Sequence, residues 1–301
     1  MKVIFAAKGH EYLIDALREL GEVIVFDKGN NTDFWDQAHV LVVASSPIVD
    51  SNLLGGFPVL KALIRIGSGF DNIDIQALEN RNIQFIRVPE GNRDSVAEHT
   101  LLLIIGLLRR VNKAIAKGFN PPWDRNGIIG NELKNKVVGI IGYGNVSWEI
   151  AVRLVSMGCR VVAWDPYRRL NPVSGVNYVS FEYILSSCDI ISFHIQDVKN
   201  GYLFDFEHLE RVKRGVLIIN TSRGNIVNTQ ALIKGLKSGI IGGLAIDVVE
   251  EEPDSRFIKE LKDFDNVLIT PHIAGHSQEA YIRMKELVIR KIKYILSDFT
   301  L

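Results

Sequence analysis

Three polar clusters follow apolar runs in the second half of the chain. Asn220-Thr221-Ser222-Arg223-Gly224 follows the run 216–219. Asp247, with Glu250-Glu251-Glu252-Pro253, follows the run 243–246, and Pro271-His272 follows the run 267–269. An arginine, a carboxylate and a histidine are what hydride transfer to a keto acid needs. An arginine fork pairs with a carboxylate in bidentate fashion and polarises the neighbouring carbonyl. A histidine exchanges a proton near neutral pH, and a carboxylate beside it stabilises the imidazolium. Each has a plainer reading: a surface arginine, a solvated acidic loop and a structural loop histidine. For any single glutamate of the 250–252 run the solvated loop is the favoured one. The chain has seven histidines. His10, His39, His194, His208 and His276 lack a comparable context, and His99 lies on a helical stretch among core residues. Strand carboxyl ends share one edge of a parallel sheet, so the three clusters can converge there.

A second constellation lies upstream, in VVGIIGYGNVSWEIAVRLVSMGCRVVAWD at 137–165. It reads as a buried strand (137–141), a glycine turn at Gly142-Tyr143-Gly144, an amphipathic helix, a second strand (161–164) and then Asp165. That order suits a dinucleotide. Gly142 lets the chain turn sharply, and Gly144 lets a pyrophosphate approach the backbone. The helix start points N–H groups and a positive dipole end at that phosphate. Asp165 stands where a carboxylate takes the ribose hydroxyls and repels a 2′-phosphate, which favours NAD over NADP, with Arg168 and Arg169 adjacent. The third glycine of the usual fingerprint is Ser147 here, which predicts a small shift in helix packing rather than a lost site. Glycine turns also join strands to helices in α/β proteins that bind no nucleotide.

These residues need a scaffold of alternating strands and helices, and the rest of the chain supplies the pattern. Apolar runs at 3–6, 23–26, 40–44, 63–66 and 83–86 predict strands, with helical segments such as 12–20 and 75–80 between them. Strands are also expected at 190–193, and a helix at 278–296. After the fourth run comes Gly67-Ser68-Gly69, whose backbone N–H groups could hold a carboxylate; a plain loop is the equal alternative. A long helix is predicted over 95–117, with Ser95 as N-cap and Glu98 completing a capping box. The Pro/Gly/Asn-rich stretch 118–130, with Pro121-Pro122-Trp123, reads as a surface connection or a subunit contact.

At 301 residues the chain has room for two domains. It is 47% hydrophobic and 23% charged, with Lys plus Arg equal to Asp plus Glu at 35 each. That balance predicts no nucleic-acid or membrane partner. The longest apolar run, 101–108, is too short to span a bilayer, and the start MKVIFAAKGHEYL turns polar too early for a secretory leader. Cys159 and Cys188 show neither disulfide nor metal spacing, so a reducing, cytoplasmic setting and no metal are expected.

Taken together, LKALIRIGSGFDNID (60–74), GNRDSVAEHT (91–100), GIIGYGNVS (139–147), INTSRGNIV (219–227), AIDVVEEEP (245–253) and NVLITPHIAG (266–275) resemble the D-isomer-specific 2-hydroxyacid dehydrogenases. Phosphoglycerate dehydrogenase-like members look most similar, notably in VPEGNRDSVAEHT and FDNVLITPHIAGHSQEA. The resemblance implies an α/β fold of two doubly wound parallel-sheet domains. A Rossmann NAD-binding domain (96–276) would be inserted into a flavodoxin-like, substrate-binding catalytic domain (1–95 and 277–301). It also implies a homodimer and a small 2-hydroxy or 2-keto acid substrate of the phosphoglycerate, glycerate or glyoxylate type. Carried over, Arg223 binds the substrate carboxylate and carbonyl, Glu252 pairs with His272, and His272 is the general acid/base. The backbone of Ser68 and Gly69 holds the carboxylate. Gly142, Gly144, Asn145 and Val146 lie at the pyrophosphate, Asp165 binds ribose, Asp247 faces the nicotinamide amide, and Thr221 and Ser222 line the same pocket. The chain departs from the pattern at Ser147, at Gln196-Asp197-Val198 (commonly Pro-Leu-Thr) and at Asn228 (commonly aspartate). At Ala44, followed by Ser45-Ser46, an arginine often holds phosphate, which puts phosphoglycerate in doubt; Arg65 is kept. The rival class is an NAD(H)-sensing binding protein without turnover, and the retained Arg223, Glu252 and His272 argue against it.

Overall fold

The computed structural model describes residues 2–6, 11–25, 35–67, 69–118, 126–167, 171–196 and 201–298. The chain forms two units, residues 1–92 with 276–301, and residues 93–275. Residues 93–95 fall in the second unit and His276 in the first, unlike the boundaries drawn from the sequence. Helix Arg93–Leu108 is continuous through residue 95, and the His276 ring lies 5.9 Å from that of Tyr281.

The first unit contains strand β1 (Lys2–Ala6), helix α1 (Ile14–Arg18), β2 (Glu22–Val25), β3 (Ala38–Val43), α2 (Ser51–Gly55), β4 (Ala62–Ile66), α3 (Ile75–Asn80) and β5 (Gln84–Val88). The strands pair in parallel in the order β2-β1-β3-β4-β5. This is the flavodoxin-like order of a doubly wound sheet. Strand β4 is buried along its length, as expected for a parallel sheet covered on both faces. Alternate residues serve opposite cores, following the period of two in a strand. Val40 and Val42 pack with Leu13, Leu17 and the C-terminal helix residues Met284, Val288 and Ile292. Leu41 and Val43 pack with Leu54, Phe57 and Leu78. Asp50 and Asp74 cap α2 and α3, accepting from Leu53 N and Ala77 N.

The second unit opens with α4 (Arg93–Leu108) and α5 (Val111–Gly118). There follow β6 (Val137–Ile141), α6 (Asn145–Ser156), β7 (Arg160–Trp164), β8 (Asn177–Tyr178), α7 (Phe181–Ser187), β9 (Ile190–Phe193), α8 (Phe206–Leu209), β10 (Val216–Asn220), α9 (Thr229–Lys237), β11 (Ile241–Ile246), α10 (Phe257–Leu261) and β12 (Val267–Ile269). Its parallel sheet runs β12-β11-β10-β9-β6-β7-β8. The winding reverses at β6, between β9 and β7, so the turn after β6 sits at the switch point where such sheets bind ligands. Asn228 caps α9, accepting from Gln230 N and Ala231 N, so it does what an aspartate would do there.

Two expectations fail around α4. The predicted helix 95–117 is two helices, because Arg110 adopts a left-handed backbone (φ 51°) and the Leu108 carbonyl accepts from Asn131 N at 2.7 Å instead of continuing the ladder. Ser95 is not an N-cap; it is the third residue of α4. Among the described residues no helix is long and apolar enough to cross a membrane.

Candidate active site

Three loops leave the carboxyl ends of β10, β11 and β12, which are adjacent in the sheet. The first is built by Asn220, a fully buried residue at the end of β10. Its Nδ2 donates to the Arg223 carbonyl at 2.8 Å, and its Oδ1 accepts from Ser222 N and Ser222 Oγ at 3.0 and 2.8 Å. The Arg223 guanidinium donates to the Ser222 carbonyl at 2.6 Å. Beside it, Gly224 lies against the second loop. A Cβ there would stand 2.2 Å from the Val249 carbonyl carbon and oxygen and 2.6 Å from Glu250 N. Only glycine permits this backbone contact.

The second loop ends in Glu252, whose Oε1 accepts from Val249 N at 2.7 Å and whose Oε2 lies 2.8 Å from His272 Nδ1. The carboxylate accepts, so Nδ1 carries the proton and Nε2 is left for another partner. The His272 and Glu252 side chains are 53% and 32% exposed, so the pair is reachable from solvent. Burial raises the Glu252 carboxyl, but the hydrogen bonds from His272 and Val249, and the charges of His272 and Arg223, hold its pKa below the ordinary value. The charge of Arg223 is thus felt at Glu252, and the three predicted residues are brought together.

A carboxyl depressed in this way stabilises the fold above its unfolded pKa of about 4.3, and the effect is lost as pH falls through the lower folded value. The gap in Tm between wild type and Glu252→Gln is therefore expected to be constant near neutrality and to close on acidification below that point. A gap that widens in acid would contradict the assigned direction.

His272 sits at φ 55°, a left-handed conformation. Asp247, buried at 2% exposure, holds this loop in place. Its Oδ1 accepts from Thr270 Oγ1 at 2.5 Å and Ile273 N at 2.9 Å, its Oδ2 from Ala274 N at 2.8 Å, and its carbonyl from His272 N at 2.8 Å.

The glycine turn follows β6. Gly142 has φ 85°, and a Cβ there would meet the His194 carbonyl carbon and oxygen at 2.8 Å. Gly144 is different: nothing lies within 4 Å of where its Cβ would be. It precedes α6 with no side-chain cap, so open space meets the N-terminus of a 12-residue helix at Asn145 and Val146. That cradle fits a pyrophosphate. Asp165 follows β7. Its Oδ2 accepts from Tyr143 N and its Oδ1 from Tyr167 N, both at 2.7 Å, so it braces the turn. Ser147 is fully buried, and its Oγ donates to the Gly142 carbonyl at 2.5 Å. The hydroxyl ties the helix to the turn. Ser147→Gly is expected to cost about 1 kcal/mol from the lost bond and roughly another from glycine in a helix, without tightening NADH binding. Urea unfolding and NADH fluorescence titration check both parts.

In the first unit, Gly69 is buried after β4, and Asn72 Nδ2 ties this turn to the one after β3, donating to the Ala44 and Pro47 carbonyls at 3.2 and 2.7 Å. Ser68, Arg168, Arg169, Asp197, Val198 and the Pro121-Pro122-Trp123 segment lie outside the described residues.

With this geometry in view, the comparison with known proteins is decisive. Residues 101–274 match the family model described as D-isomer specific 2-hydroxyacid dehydrogenase, NAD binding domain. The chain belongs to the D-isomer specific 2-hydroxyacid dehydrogenase family. It is 34% identical over 300 residues to the D-3-phosphoglycerate dehydrogenase of Archaeoglobus fulgidus, an alignment covering 97% of this chain and 56% of that protein. It is 36% identical over 256 residues to the glyoxylate reductase of Thermofilum pendens, covering 82% of this chain and 75% of that one. The solved D-lactate dehydrogenase of Aquifex aeolicus, complexed with NAD and lactic acid, matches with a TM-score of 0.88 at 26% identity, covering 98% of this chain and 96% of that one. The chain spans little more than half the length of the curated phosphoglycerate dehydrogenases it matches. As in this family, the cofactor of the second unit is NAD.

Sequence reasoning missed several residues that the structure places against these loops. Asn220 offered a signal, a polar residue ending an apolar run. His99 sits among core residues in the sequence, yet its Nε2 lies 2.9 Å from Thr270 Oγ1 and 3.7 Å from Asp247 Oδ1. His194 backs the glycine turn. Burial pushes its pKa down to about 3, and its Nε2 lies 2.7 Å from Ser192 Oγ, so it is neutral at physiological pH. Neither cysteine is a reactive thiolate: burial pushes Cys159 up to about 11 and Cys188 up to about 12.

Proposed function

We propose that this chain is an NAD-dependent oxidoreductase acting at C2 of small D-2-hydroxy and 2-keto acids. The observation that carries this is the Glu252–His272 pair within the field of Arg223, in the unit that also holds the glycine-turn cradle. Bound NAD(H) supplies the hydride acceptor or donor. His272 Nε2 takes the hydroxyl proton or returns it, Glu252 fixes the ring through Nδ1, and Arg223 orients the acid through its carboxylate. Gly142, Gly144, Asn145 and Val146 are assigned to the pyrophosphate and Asp165 to the ribose. Thr221, Ser222 and Asp247 are assigned to the nicotinamide side, with Asp247 also holding the His272 loop. The backbone at Gly69, with Ser68, is assigned to the substrate carboxylate, which makes residues 1–92 and 276–301 the substrate-binding domain and 93–275 the NAD domain.

The substrate belongs to the phosphoglycerate, glycerate or glyoxylate class. Buried Ala44, followed by exposed Ser45 and Ser46, offers no cation for a phosphate, which favours the unphosphorylated acids. NADH oxidation followed at 340 nm against glyoxylate, hydroxypyruvate, pyruvate and phosphohydroxypyruvate tests the reading. Turnover that disappears in His272→Ala supports it. NADH binding with no turnover on any 2-keto acid would sink it and favour a sensing role.

A homodimer and a reducing, cytoplasmic setting complete the proposal. Leu102, Ile115 and Ile129 are 61%, 54% and 83% exposed on α4, on α5 and in the chain beyond them, apolar side chains that a second copy would cover. Light scattering should give twice the chain mass, and Leu102→Glu with Ile115→Glu should return it to one.

A further inference from the structure

Helix α4 carries two adjacent polar side chains, His99 and Thr100, that the mechanism above leaves without a task. Thr100 is fully buried, and the His99 side chain is 13% exposed. The direction of each hydrogen bond follows from counting protons. Thr100 Oγ1 donates to the Val96 carbonyl at 2.7 Å, so across the 3.0 Å contact it accepts from Thr221 Oγ1. Thr270 Oγ1 donates to the Asp247 carboxylate at 2.5 Å, so across the 2.9 Å contact it accepts from His99, whose Nε2 therefore carries a proton. The 3.7 Å separation of His99 Nε2 from Asp247 Oδ1 favours the same arrangement.

The two threonines occupy equivalent places. Thr221 stands two residues before Arg223 on the loop after β10, and Thr270 two residues before His272 on the loop after β12. Strand β11 lies between these strands, so the loops have no ladder in common. Neighbouring side chains on α4 reach both.

We propose that His99 and Thr100 are positioning residues. Through Thr270 and Thr221 they pin the two loops to one turn of α4, and so set the spacing between the acid/base and the carboxylate-binding arginine. This rests on the roles given above to His272 and Arg223. The His99 arm acts on the orientation of His272 and so on kcat. The Thr100 arm acts on Arg223 and so mainly on KM.

The test uses His99→Phe, His99→Gln, Thr270→Val, the His99→Phe/Thr270→Val double variant and Thr100→Val. Measurements are kcat and KM with the keto acid the wild type reduces fastest, NADH affinity by fluorescence, and Tm. His99→Phe is expected to lower kcat by roughly 10–100-fold, the scale of a misplaced catalytic group, with NADH affinity retained. His99→Gln keeps an N–H donor and should recover most of the rate. The double variant should be no worse than the poorer single one, because both break one link. Thr100→Val should raise KM more than it lowers kcat. The proposal is overturned if the rate loss tracks Tm or NADH affinity, if glutamine rescues nothing, or if the two losses on the His99 arm multiply. Nitrogen-15 spectra of histidine-labelled protein give a readout independent of turnover. A protonated His99 Nε2 supports the link, and a bare Nε2 overturns it. Wild-type silence on every keto acid overturns the functional reading, and with it the catalytic purpose of the link, while the spectra still decide whether the link exists.

Discussion

Turnover of 2-keto acids by His272→Ala is expected to fall by roughly 10²–10⁴-fold, the range of a lost general acid/base, while NADH affinity stays close to that of the wild type. The separation of the two quantities follows from position. His272 belongs to the loop after β12, whereas the glycine turn assigned to the pyrophosphate follows β6, and β9, β10 and β11 lie between them. The imidazole has one nitrogen committed to Glu252, so its loss removes the proposed proton carrier and leaves the cradle standing. Glu252→Gln is a milder lesion, because a ring with a weaker partner still transfers protons. Stopped-flow reduction with saturating NADH separates the chemical step from product release. An unchanged rate in His272→Ala would reassign the acid/base.

Replacing Arg223 with Gln should lower kcat/KM for 2-keto acids by roughly 10²–10⁴-fold. Two charge-assisted hydrogen bonds to a carboxylate, at about 1.5–3 kcal/mol each, set that scale. Arg223→Lys keeps the charge without the planar fork and should fall between wild type and Gln. The loop itself should survive either change, because Asn220 builds it through backbone atoms and through Ser222, not through the guanidinium. A pH profile adds a second readout. The Arg223 charge helps hold the Glu252 carboxyl below its ordinary value, so in Arg223→Gln the acid limb associated with Glu252 should move to higher pH. Steady-state kinetics from pH 4 to 9 would show it. Equal activity of the Gln variant on keto acids and on the corresponding aldehydes would count against a carboxylate role.

Much of this was legible because the relevant signals are local in sequence. The glycine turn, the strand before it and Asp165 are read within one βαβ segment, and the continuous apolar run of β3 marks a strand buried on both faces. What the sequence left open was contact between distant segments. Nothing local marks His99 as different from its core neighbours; its partner, Thr270, lies 171 residues away. Gly224 looks like part of a motif until the Val249 carbonyl appears against it. The break at Arg109-Arg110 was missed because propensity carries the helical pattern straight through. The Leu108 carbonyl at the end of α4 is claimed by chain that arrives later, at Asn131.

Under the role proposed for His272, its left-handed backbone sets stability against activity. A non-glycine residue in that region costs on the order of 1 kcal/mol, and glycine or asparagine would relieve it. Selection of random variants for heat resistance alone should therefore enrich glycine or asparagine at position 272, where every gain in melting temperature removes the imidazole. Directed evolution for thermostability should be run with turnover as a second filter, and this codon held fixed.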